Sequence, residues 1–178
     1  MPVRLRIAVA ALVALALVPL LAPGGAAGGR KSRLTLTALE LSTVKAINDL
    51  RVSHGVAPLA VSPALFGSAL LHCQEMVGGG YFSHSAPDGS SFAARIAAFY
   101  PQGRSTFYSV GENLLRTLRP PSSDEMVASW MQSREHRANL LNPIWRQLAV
   151  AVLSVSSAPG AYDDGRVTVV TVDFGARR

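Results

Sequence analysis

An α+β fold, with helices first and antiparallel strands last, is predicted by three features of this sequence. Segments with helical apolar spacing and recognisable caps fill residues 37–141. Two runs rich in valine, threonine and alanine close the chain at 147–156 and 167–174. Segregation of this kind argues for α+β rather than for alternating units around a parallel sheet. The hydrophobic fraction of 49% and charged fraction of 16% suffice for a packed core and exclude a disordered chain. With no internal repeat and no long linker, 178 residues make one domain.

The first segment reads as a leader. Arg4 and Arg6 precede an apolar run from Ile7 to Leu21, interrupted only by Pro19, and the small residues Ala22 to Ala27 follow. A basic start, an apolar stretch too short for a typical spanning helix and a small-residue exit describe a secretory signal peptide over 1–27. An uncleaved N-terminal anchor is the alternative. Residues 28–36 form a polar lead-in, and 37–178 form the domain. Gly24 to Ser32 superficially matches a phosphate-binding loop, but it follows an apolar leader rather than a strand.

Thr37 and Glu40 make a capping box that opens the first helix, with Leu41, Val44, Ile47 and Leu50 as its apolar stripe and Gly55 as its stop. Leu59 and Val61 are a short apolar pair. Ser62-Pro63 then starts a second helix, serine as N-cap and proline at the first helical position. Leu65, Phe66, Ala69, Leu70, Cys73, Met76 and Val77 give it a buried face, and Gly78 to Gly80 end it. A loop from Tyr81 through Pro87-Asp88-Gly89 leads to a third helix, capped by Ser90 or Ser91, that carries Phe92, Ile96 and Phe99 and stops at Pro101. Phe107, Tyr108 and Val110 form an irregular, strand-like approach to Gly111-Glu112-Asn113. Ser122 and Glu125 repeat the capping box ahead of Met126, Val127, Trp130 and Met131. The two terminal runs, separated by Ala158-Pro159-Gly160 and Asp163-Asp164-Gly165, form a hairpin with a long loop.

Charge and cysteine content narrow the function classes. The net charge is +6, or +4 without residues 1–27. These charges are scattered rather than clustered, which argues against nucleic-acid binding and suits weak attraction to anionic envelope polymers or headgroups. The single cysteine, Cys73, excludes an internal disulfide, so packing alone holds this exported domain together. Cys73 falls within a helical apolar stripe and reads as a buried small hydrophobe.

Of four histidines, His54 reads as structural at a helix C-terminus and His72 as a boundary residue just off an apolar stripe. His84 and His136 have more telling neighbours. Tyr81-Phe82-Ser83-His84 with Pro87-Asp88-Gly89 sets a histidine in a polar turn beside two aromatics. Gly111-Glu112-Asn113 sets a carboxylate after a glycine that permits close approach. Trp130 to Arg137 sets His136 one turn from Ser133, ahead of Asn139-Leu140-Leu141.

These stretches, with Asn48, Arg51 and Leu59 in the first helix and the loop after it, resemble the CAP superfamily, or SCP domain: cysteine-rich secretory proteins, antigen 5 and pathogenesis-related 1 proteins. The likeness is greatest to the bacterial extracellular branch and covers about residues 40–174. It implies an α-β-α sandwich with a small antiparallel sheet between helical layers. It also implies a shallow cleft in which His84, Glu112 and His136 match the family's first histidine, first glutamate and second histidine. The family's second glutamate falls on Ser133 here, as in the bacterial branch, which leaves the acidic pair incomplete. Glu135 is adjacent to His136 and on a helix would point elsewhere.

Three functional expectations follow. Two neutral imidazoles and a carboxylate, His84, His136 and Glu112, can hold Zn²⁺ or another divalent cation with a position open for water, so the first is a cleft that binds a metal or a polar envelope ligand. The second is an extracellular hydrolase that uses Ser133 with His84, Glu112 and His136; it lacks a G-x-S-x-G elbow and an evident oxyanion hole. The third is lipid or sterol binding along Phe99, Tyr100, Phe107 and Tyr108. The expected protein is secreted or envelope-associated, has no integral membrane segment once the leader is removed, and acts as a monomer.

Overall fold

The structure is a computed structural model that describes residues 34–178. The expected signal peptide, most of the lead-in and the Gly24–Ser32 stretch lie outside the described residues. Among the described residues, five α-helices and four strands follow in order: α1 (Ala38–Ser53), β1 (Ala60–Val61), α2 (Pro63–Gly79), α3 (Phe92–Phe99), β2 (Tyr108–Thr117), α4 (Ser123–Gln132), α5 (Arg134–Leu140), β3 (Gln147–Val155) and β4 (Val167–Arg177), with a 3₁₀ turn at Gly160–Tyr162 before β4.

The caps place the helices. Both capping boxes form, Thr37 with Glu40 and Ser122 with Glu125. Ser62 caps α2 ahead of Pro63, and Ser91 caps α3. Ser122→Ala is expected to cost about 1 kcal/mol by urea denaturation, because it orphans a first-turn N–H. Helix α2 runs through Gly78 and Gly79 to Gly80, whose φ of 66° is left-handed. A Cβ there would also stand 2.8 Å from the Pro159 carbonyl oxygen. The stripe on α1 is shifted from expectation: Leu41 is 54% exposed, while Thr43, Val44, Ile47 and Arg51 are buried.

The sheet order is β1-β3-β4-β2. The sheet is mixed rather than wholly antiparallel, because the short Leu59–Val61 segment contributes β1, parallel to the start of β3. The terminal hairpin forms as expected, with Gln147 opposite Gly175 and Val155 opposite Val167. Segment 108–117 is a regular ten-residue strand paired along its length with β4, not an irregular approach. Its glycine and polar residues weaken the sequence signal for a strand, and pairing with β4 overrides that local preference.

Strand β4 is buried on both faces, which accounts for its near-continuous valine and threonine content. Val170, Val172 and Phe174 meet Val44 and Ile47 of α1, Met126 and Trp130 of α4 and Leu140 of α5. Val167 and Val169 face Ala69, Cys73 and Met76 of α2. A smaller cluster joins Leu65, Ile96 and Tyr100. The result is the α-β-α layering: α1, α4 and α5 on one face, α2 and α3 on the other, with β2 on an edge where the two layers meet. Cys73 is a free, fully buried thiol, and desolvation pushes its pKa up to about 12.

Candidate functional site

Glu112 lies midway along β2 and points toward the α2–α3 layer. Its carboxylate is fully buried yet engaged at both oxygens. Oε1 accepts from His84 Nδ1 at 2.7 Å, and Oε2 accepts from Arg95 Nη2 of α3. His84 stands on the loop after α2, its side chain 47% exposed and edge-on to Phe92. Hydrogen-bonding Nδ1 to a carboxylate fixes the tautomer and leaves Nε2 free for a ligand.

His136 enters from the opposite layer. Ser133 is extended, with φ of −90° and ψ of 129°, so it ends α4 and starts α5. The chain therefore turns off at Ser133 and presents His136 on the first turn of α5. Two asparagines tie that helix to the strand. Asn113 Nδ2 donates to the His136 carbonyl at 3.0 Å, and Asn139 Nδ2 donates to the Glu112 carbonyl and to Asn113 Oδ1, each at 3.0 Å. Burial, then the neighbouring His84, lowers the His136 pKa, so the imidazole is neutral at neutral pH.

A cleft of about 550 Å³ opens between these groups, lined by His84, Phe92, Val110, Glu112, Glu135 and His136 among others. That volume is within the range of small-ligand sites. Gly111 admits the Trp145 ring at its back, since a Cβ would stand 2.7 Å from Trp145 Cζ2. His84, Glu112 and His136 thus share one cleft although they come from a loop, a strand and a helix.

The other candidates lie differently. The Ser133 hydroxyl accepts the His136 backbone N–H at 3.4 Å and donates to Glu135 at 3.2 Å; it caps a helix and makes no bond to an imidazole. Glu135, expected to point away, lies on the rim of the cleft. Tyr100 is fully buried and stacks against Tyr108, whose hydroxyl donates to the Tyr100 carbonyl. Those two rings pack the core, while Phe99 and Phe107 are partly exposed. Among the described residues, no three His, Cys, Asp or Glu side chains are grouped to hold a metal.

Two residues of this region, Arg95 and Asp173, carried no functional expectation from the sequence, and a third, His72, was misplaced. His72 is not at a boundary: it is fully buried, and its Nε2 donates to the Ser83 carbonyl at 2.9 Å, anchoring the loop that carries His84. Burial lowers its pKa against the opposing pull of Glu112, so it is a neutral donor. Its signal was present, because 65, 69, 72 and 76 follow helical spacing on one face. Arg95 is the only charged residue in the otherwise apolar α3. Asp173 lies opposite Glu112 on β4, buried, with neither carboxylate oxygen hydrogen-bonded. Burial first and Glu112 second hold its pKa well above the ordinary carboxylate range, which favours its protonated form.

A three-layer α-β-α sandwich whose cleft gathers two histidines and a buried glutamate at a sheet edge defines an SCP-type domain. The chain belongs to the cysteine-rich secretory protein family, whose model matches residues 44–174. It is 29% identical over 123 residues to the uncharacterized protein YkwD of Bacillus subtilis, an alignment that covers 69% of this chain and 46% of that protein. The chain therefore spans about half the length of that curated relative. Its fold is similar to that of an outer surface protein from Borrelia burgdorferi, with a TM-score of 0.60, 18% identity and coverage of 76% of this chain and 90% of that one. It is also similar to an extracellular protein containing a SCP domain from Bacillus anthracis, with a TM-score of 0.56, 24% identity and coverage of 81% and 45%. No helix among the described residues is long and apolar enough to cross a membrane.

Proposed function

We propose that this chain is an exported binding module whose cleft takes a divalent cation, Zn²⁺ or a similar ion, or a polar envelope ligand, between His84 and His136. The single observation that carries this reading is the His84 Nδ1–Glu112 bond, which orients one imidazole on the cleft wall and leaves its Nε2 without a partner. In this arrangement Glu112 orients a ligand rather than being one, since both of its oxygens are engaged by His84 and Arg95. The residues therefore fit a two-imidazole site open to solvent ligands. His136, neutral and half-buried, is the second donor. A bound cation would supply Lewis acidity; the protein's own residues orient His84, keep His136 deprotonated and tie the helix that carries it to β2 through Asn113 and Asn139.

Export rests on the leader-like residues 1–27 and on relatives described as extracellular and outer-surface proteins. Nothing in the geometry favours the hydrolase reading, because the Ser133 hydroxyl is committed to a helix cap.

The test is a zinc titration followed by imidazole NMR signals. Saturable uptake should move the His84 and His136 signals together, and either His84→Ala or His136→Ala should abolish it. Uptake that is unsaturable, or unchanged in both variants, would overturn the cation-binding reading.

A further inference from the structure

The edge of the sheet forms part of the cleft, and its hydrogen-bonding pattern points to a ligand class. Phe107 and Arg178 exchange both backbone hydrogen bonds. In an antiparallel ladder such pairs alternate, so Ser109, Gly111 and Asn113 turn their backbone groups toward β4, while Tyr108, Val110, Glu112 and Leu114 turn theirs outward. Among the described residues, β2 is an edge of the sheet, and no further strand of theirs receives these groups.

The chain satisfies part of this edge with side chains. Trp130 Nε1 donates to the Leu114 carbonyl at 2.9 Å, and Asn139 Nδ2 donates to the Glu112 carbonyl. That cover stops at Glu112. None of the described residues supplies a partner for the Val110 N–H, the Val110 carbonyl or the Glu112 N–H. Ser109, Val110, Gly111 and Glu112 all line the cleft that also holds His84 and His136. An unpaired donor–acceptor ladder thus runs beside the two imidazoles.

We propose that Tyr108–Glu112 is a docking edge for an extended peptide segment, which adds to β2 as a further strand within the cleft. This rests on the cleft being the ligand site proposed above. A peptide backbone matches alternating donors and acceptors at strand spacing, and recognition of this kind takes its affinity from main-chain hydrogen bonds. Charge selects the kind of peptide. The charged side chains that line the cleft are Glu112 and Glu135, and no Lys or Arg lines it. The positive charge of Arg95 is matched by Glu112, so Glu135, with Arg134 beside it, carries the negative charge on the rim. The complementary occupant is an extended peptide carrying a basic side chain.

The probe is a capped pentapeptide pool, randomised except for a central lysine, alongside the same pool with N-methylated backbone amides. With the ¹⁵N-labelled protein, the first pool is expected to shift the Val110 and Glu112 amide signals and the N-methylated pool to leave them unmoved. Val110→Pro removes an outward N–H and no ladder bond, a position where an edge strand tolerates proline. It should weaken binding about tenfold, the effect of one lost hydrogen bond. Peptide binding that leaves both amides unmoved, equal binding of both pools, or no binding overturns the proposal. If zinc moves both imidazoles while the peptides leave the edge unmoved, the strand-docking proposal alone fails. If zinc also fails, the cation reading fails with it.

Discussion

Trp130→Ala is expected to lower the unfolding free energy by about 3–5 kcal/mol, the range for emptying a buried tryptophan site. Trp130 is fully buried on α4 in the cluster with Ile47, Val150 and Val172. Truncation leaves a cavity there, and it also leaves the outward Leu114 carbonyl of β2 without its 2.9 Å donor. The two losses act together, because the indole both fills the layer and closes the sheet edge. Urea denaturation followed by circular dichroism measures the change, and a domain of this size should lose roughly 3 °C of Tm per kcal/mol. Trp130→Phe, which keeps most of the ring volume but not the N–H, should recover the larger part. A loss below about 1 kcal/mol for the alanine variant would show that the layer collapses around the site.

Asp173→Asn should act in the opposite direction, stabilising the protein at neutral pH. Asp173 is fully buried on β4, opposite Glu112 on β2 and close to Ser68 of α2 and Arg95 of α3. Arg95 is bonded to Glu112, which leaves Asp173 without a cation of its own. Its raised pKa means that above about pH 4 the native state keeps a proton that the unfolded chain releases. Stability therefore falls as the pH rises through that window, until the folded-state value is passed. Asparagine is neutral in both states and removes this slope. The gain at pH 7 has a ceiling of about 4 kcal/mol, the full linkage from the ordinary carboxylate pKa at 1.36 kcal/mol per unit. At pH 4 the two proteins should be nearly equal. Denaturation midpoints between about pH 4 and 8 test this, and parallel profiles for the two proteins would overturn the assignment of a raised pKa.

How much was legible in the sequence depended on whether a feature was local. The caps of α1, α2 and α4 were readable because each is a contact between residues three apart. The hairpin of β3 and β4 was readable from a run of β-branched residues. Gly111 was readable as a close-approach position, although the indole it admits, Trp145, lies 34 residues further on. The strand nature of 108–117 was not readable, because Gly111, Glu112 and Asn113 carry poor strand propensity and only pairing with β4 overrides it.

The site shows the same division. Residue types and order drew attention to His84, Glu112 and His136, and the fold brings all three to one cleft. The roles were not legible. Ser133 and His136 are spaced as helical neighbours, yet the break at Ser133 turns its hydroxyl into a cap. Arg95 is the one charged residue of α3, and His72 and Asp173 sit in largely apolar stretches of α2 and β4; their relation to Glu112 exists only after α2 and α3 pack on the sheet.

By itself, the sequence determined the starts of α1, α2 and α4, the terminal hairpin, the absence of an internal disulfide and the family. These follow from short-range contacts, composition and motif order. Only the tertiary structure decided that Glu112 is held between His84 and Arg95, that Asp173 is fully buried with its pKa raised, and that the edge of β2 forms part of the cleft. Each of those depends on distance and burial between residues far apart in the chain, and both the dielectric around a charge and the partner of a hydrogen bond are set by packing.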